Sequence, residues 1–122
     1  MDYWFIAAGV LSAAITAIHI FAGGADVAQP LLATREMDRT VKYTVYYCWH
    51  LVSFSLALMA AGFIASGAFG ASDDLAILMT ALAVGFTLWG LILPPRVGQS
   101  YKEMPQGWLF LPVAVCGLAG LL

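Results

Sequence analysis

The sequence predicts an all-α integral membrane protein, a single domain of four transmembrane helices in an up-down antiparallel bundle with both termini outside. Three observations carry that expectation. Of the 122 residues, 62% are hydrophobic and only 10% charged, with a mean hydropathy of +0.90, where soluble domains carry about 25% charged residues. Four apolar runs contain no Asp, Glu, Lys or Arg. All five basic residues fall in the two connections that an even number of crossings puts on one side.

The first run, Tyr3 to Ala22, has the length of about 20 residues that covers a hydrocarbon core of roughly 30 Å. It lacks a basic leader region and a small-x-small cleavage site followed by a polar chain, so it is expected to remain attached. Gly23-Gly24 is its expected stop. The second run, Tyr43 to Ser66, is followed by Gly67 and Gly70, and the third, Leu75 to Leu93, by Pro94-Pro95. The fourth, Gly107 to Leu122, is short, follows Pro105 and contains Pro112, which predicts a kink or a broken first turn.

Charge sets the expected direction. Arg35, Arg39 and Lys42 lie between the first two runs, and Arg96 and Lys102 between the last two, whereas the connection from Gly67 to Asp74 carries only Asp73 and Asp74. The positive-inside rule then predicts that residues 24–42 and 94–106 are cytoplasmic and both termini periplasmic, in a bacterial inner membrane. Trp4 at the outer boundary and Trp89 and Trp108 near the inner one agree. Pro30 is expected to open a short interfacial turn that lays Leu31 and Leu32 against the bilayer, with the basic face near anionic headgroups.

Two histidines interrupt the apolar tracts. Positions three and four apart share a helical face, which groups His50 with Tyr43, Tyr46, Tyr47, Ser53 and Phe54, and His19 with Ser12 and Thr16. Trp49 is turned about 100° from His50 and Cys48 about 200°, so Cys48-x-His50 is no chelating pair on an intact helix. Both polar stripes are expected to face protein, with His19 and His50 meeting near the cytoplasmic boundary. Thr80, Thr87 and the Gly117 to Gly120 edge are expected to complete the bundle.

An ionisable residue inside a crossing is a functional candidate by default. One reading makes His19 and His50 the axial ligands of a b-type haem, its propionates near cytoplasmic Arg and Lys. A metal site lacks the carboxylate or thiolate that would complete two imidazoles. The plainer expectation is no cofactor and no metal: neutral imidazoles hydrogen-bond to Tyr, Ser, Thr or carbonyl groups and fix the rotation of the first hairpin, and the three tyrosines are belt residues at headgroup level. Cys48 and Cys116 are expected to be buried, unpaired and nearly apolar.

Function is read mainly by exclusion. The carboxylates lie in connections or near a terminus and no nucleophile–base or HExxH pattern occurs, so no enzyme is expected. The first run has no glutamate of the kind a small multidrug antiporter requires, and no paired cysteines serve thiol–disulfide exchange. A net charge of −2 gives no reason to expect nucleic acid. The leading expectation is a small non-catalytic subunit, accessory or assembly component of a larger membrane complex or a homo-oligomer, whose partners are the lipid bilayer and another membrane protein or a second copy. The alternatives are a His-ligated haem or small-molecule binding protein and a small transporter or channel subunit.

Overall fold

Asp2 begins the first helix. Its carboxylate accepts from the Trp4 and Phe5 N–H groups at 2.8 and 3.1 Å, filling donors that a helix N-terminus leaves orphaned. The computed structural model describes all of residues 1–122 and is all-helical, with α1 at Tyr3–Ile18, a π-helical segment at His19–Ala28, α2 at Gln29–Ala33, α3 at Arg39–Phe69, α4 at Asp73–Arg96 and α5 at Gln106–Gly120.

The first helix therefore does not stop at Gly23-Gly24, contrary to expectation, but runs on through the π segment and α2 to Ala33. A glycine inside a helix costs only about 1 kcal/mol relative to alanine, and it ends a helix when it adopts the left-handed conformation. Positive φ occurs only at Gly70 and Gly98. Gly70, at φ 65°, is accordingly the residue that ends α3, while Gly67 stays inside it.

α3 begins four residues earlier than the apolar run because Asp38 caps it, accepting from Thr40 and Val41 at 2.9 and 3.2 Å. Arg39 and Lys42 thus belong to the helix, and the connection before it shrinks to Thr34–Asp38. α4, capped by Ser72, carries Asp73 and Asp74 in its first turn and Arg96 in its last, each sign matched to the helix dipole. It continues through Pro94-Pro95 rather than ending at Leu93. Those prolines deprive the Gly90 and Leu91 carbonyls of their usual donors. The Tyr101 hydroxyl donates to Leu91 O at 2.8 Å in place of the missing Pro95 N–H, and Pro94 is fully buried. α5 likewise stays helical through Pro112, and it ends at Gly120.

The helices form a ring in which α1 packs on α3 and α5, and α4 packs on the same two. Neighbours run in opposite directions: Asp2 N–H donates to Gly67 O at 2.9 Å while His19 lies beside Ser53, Gly62 faces Met79, Gly90 faces Gly107 and Gly120 faces Phe5. Small residues let them approach. A Cβ on Gly9 would stand 2.7 Å from Ile64, and one on Gly90 would stand 2.5 Å from the Gly107 backbone. Leu56, Met59, Phe63, Ala83 and Val113 fill the centre.

Three helices, Tyr3–Ala33, Arg39–Phe69 and Asp73–Arg96, are long and apolar enough to cross a membrane, and Gln106–Gly120 is shorter. Cys48 is exposed and Cys116 half-buried, which corrects the expectation that both are buried.

Candidate functional site

Residues Trp49, Leu56 and Phe63 recur every seventh position along α3, and this line points at the first helix. Leu56 and Phe63 are buried in the core, whereas Trp49 lies at the end of the line, where α1 gives way to the π segment. The Trp49 indole covers Gly23, at which a Cβ would stand 2.8 Å from it. His19 stacks on the same indole, with ring centroids 4.0 Å apart and planes 19° from parallel.

The His19 Nε2 lies 3.0 Å from Ser53 Oγ and 3.3 Å from Trp49 O, and Ser53 Oγ donates to that carbonyl at 3.2 Å. A carbonyl only accepts, so the assignment that uses all three contacts puts the proton on His19 Nε2, donating to both oxygens. His19 is thereby bound to α3 through Trp49 and Ser53. His50 stands elsewhere. It is exposed, packed edge-on against Tyr46 at 4.6 Å and 83°. The two imidazoles flank one corner of the hairpin without a hydrogen bond between them.

Beside this corner a groove of about 350 Å³ separates the π segment and α2 from α3. Ile20, Gly24, Ala28, Gln29 and Leu32 form one wall, and Tyr46, Trp49, His50 and Ser53 the other. No Asp, Glu, Lys or Arg lines it.

The expected stripe on α3 thus divides. Tyr46, His50 and Ser53 turn to the groove, while Tyr43 and Tyr47 lie with Arg39, Thr40 and Thr44 on a separate, open face where the Arg39 guanidinium lies 5.9 Å from the Tyr43 ring centroid. Phe54 points outward, 69% exposed. On α1 the hydroxyls turn back on their own helix, Ser12 donating to Ala8 O and Thr16 to Ser12 O, both at 2.8 Å. Ser12 and Thr16 therefore do not extend the His19 network. Thr87 does the same with Ala83 O at 2.8 Å, whereas Ser66 Oγ and Thr80 Oγ1 are buried with no partner.

No protein family, curated protein or solved structure matches the chain.

The basic residues have distinct surroundings. The Lys42 ammonium donates to the Leu32 and Thr34 carbonyls at the end of α2, tying that short helix to α3. Arg35 is exposed in the connection, Arg96 closes α4, and Lys102 lies in the connection from Val97 to Pro105. Ligation of a metal or haem through His19 Nε2 would require breaking its contacts with Ser53 and Trp49, and no three His, Cys, Asp or Glu side chains come together.

Trp49, Gly24, Ala28, Gln29, Leu32 and Ile20 are the site residues that the sequence reading omits. For Trp49 the signal was present in the seven-residue spacing from Phe63 through Leu56. The other wall depends on the helix continuing past Gly23-Gly24, which composition alone does not signal.

Proposed function

We propose that this is a four-crossing, non-catalytic membrane protein that works by lateral attachment to other membrane-embedded chains, as an accessory subunit or as a homo-oligomer. The supporting observation is the uncovered apolar surface around the ring: Phe21, Phe54, Leu58, Leu78, Trp89 and Val115 are all more than half exposed, on the three long helical rods and on the shorter α5. Such a perimeter suits lipid and partner helices alike.

In this reading α5, at 15 residues and about 22 Å, spans less than a full hydrocarbon core, so the connection from Val97 to Pro105 enters the headgroup layer. Arg35, Arg39, Lys42, Arg96 and Lys102 all lie at one end of the ring, where the positive-inside rule makes them cytoplasmic and the termini periplasmic, in an inner membrane. The permeation alternative gains little support, because the Ser12 and Thr16 hydroxyls are engaged by their own helix.

Native mass spectrometry of the chain in lipid nanodiscs tests the attachment: an oligomer or a retained partner is expected, and a stable partner-free chain of 13.0 kDa contradicts it. Reporter fusions after residues 36 and 100 test the direction, both being expected on the cytoplasmic side.

A further inference from the structure

We propose that the groove between the π segment and α3 binds a neutral, membrane-soluble ligand with a flat, carbonyl-bearing ring, the chemistry of a quinone. The inference rests on the membrane placement above but not on the attachment.

Four observations converge on it. The backbone widens into ten π-helical residues, His19–Ala28, along one wall of the groove, and π-helical turns are uncommon and concentrate at functional positions. Gly24 leaves that wall open, since a Cβ there would meet nothing within 4 Å. The opposite wall is held in place: Trp49 is fixed by the His19 stack behind it and Ser53 by the His19 hydrogen bond. Finally, His50 enters the groove with Tyr46 against its ring and no hydrogen bond within the chain.

An exposed imidazole without a partner is unfavourable in an apolar phase, and a ligand oxygen that accepts from it removes that penalty. The Gln29 amide on the facing wall supplies a second donor. No Asp, Glu, Lys or Arg lines the groove, which selects against a charged ligand such as a free phosphate. Ile20, Ala28 and Leu32 supply an apolar wall. A space of about 350 Å³ lies at the small end of ligand pockets and accommodates a ring with its tail running out along the apolar exterior.

The test uses the full chain in nanodiscs, labelled with a photoreactive azidoquinone, with short-tail benzoquinone as competitor and the labelled peptides mapped by mass spectrometry. Labelling is expected within residues 20–53 and to be abolished by excess competitor. His50→Phe, which keeps a ring but no donor, is expected to weaken competition by about tenfold or more, and His50→Gln, which keeps a donor, by about threefold at most. Gly24→Leu should block labelling, and Ile77→Ala, on an exposed face of α4 at the opposite end of the ring, should leave it unchanged.

Absent or non-competable labelling, or equal affinity in wild type and His50→Phe, overturns the site. So does cross-linking from position 24 to another polypeptide in place of quinone, which assigns the groove to a partner helix. A monomeric mass with competable labelling would sink the attachment and leave the ligand site standing. An oligomer without labelling would do the reverse.

Discussion

The His19 imidazole lies flat on the Trp49 indole, 4.0 Å between centroids, while its Nε2 reaches Ser53 Oγ, four residues further along α3, at 3.0 Å. One side chain of the first helix thereby fixes the rotation of α3 by two different interactions. Ser53→Ala removes the hydroxyl contact and should destabilise the protein by about 0.6 kcal/mol, the average for hydrogen bonds between membrane helices, and by about 1.7 kcal/mol at most. Trp49→Ala also opens a void over Gly23 and should cost about 2 kcal/mol, less than a fully buried tryptophan because Trp49 is partly exposed. Thermal unfolding in detergent measures both. Unchanged midpoints in the two variants would mean that His19 does not organise the hairpin.

Gly90 and Gly107 bring α4 and α5 into backbone contact, and a Cβ on Gly107 would stand 2.5 Å from the Gly90 carbonyl carbon. No flexible side chain is there to yield, so Gly107→Ala must push the helices apart and should cost about 3 kcal/mol or more. Gly85 lies on the same α4 with nothing within 4 Å of the Cβ position. Gly85→Ala should therefore be neutral or stabilising by up to about 1 kcal/mol, through helix propensity alone. Equal effects at the two positions, read from unfolding midpoints, would contradict the close packing of α4 on α5.

These glycines illustrate what was legible in the sequence. Helix-forming apolar tracts follow local rules, and Gly70 stops α3 as such a rule expects, whereas the Asp38 and Ser72 caps lie upstream of the apolar tracts and start their helices before Tyr43 and Leu75. Gly23-Gly24 and Pro94-Pro95 bear the same local signals, yet the helix continues through both pairs, because tertiary neighbours answer the local penalty: Trp49 packs over Gly23, and the Tyr101 hydroxyl reaches the Leu91 carbonyl. The grouping of Tyr46, His50 and Ser53 was legible from helical spacing, but the opposite wall was not. His50 faces the groove rather than His19 because α3 turns its Trp49–Leu56–Phe63 line, not its tyrosine stripe, toward α1.

Lys42 supplies a cap across the turn, its ammonium donating to the Leu32 and Thr34 carbonyls that the end of α2 leaves without partners. Lys42→Met keeps the length and apolar stem but removes the donor. The variant should lose about 0.3–1 kcal/mol of local stability, seen as several-fold faster amide exchange in residues 29–34 while α4 and α5 are unaffected. Uniform acceleration across all helices would instead mean that the contact supports the whole bundle.

In the other turn at the same end of the ring the Glu103 carboxylate accepts from the Ser100 N–H and from the Ser100 hydroxyl, both at 2.9 Å. These bonds, the backbone one foremost, hold its pKa below the ordinary carboxylate value of 4.5. A carboxylate whose folded pKa is depressed adds stability that is present above its unfolded value and lost as pH falls through the folded one. The ordering of residues 97–105 should thus be constant from neutrality down to about 4.5 and loosen below it as the carboxylate takes up a proton. Tyr101 packs edge-on against Trp108 at 5.9 Å in this turn, so the part of the tryptophan emission lost in a Trp108→Phe background reports the change. Glu103→Gln carries no titrating carboxyl and should flatten that acid response. Because Glu103 is fully exposed, the effect is confined to the turn and should leave the unfolding midpoint of the bundle unmoved. An acid response of the same size in wild type and Glu103→Gln would assign it to another group.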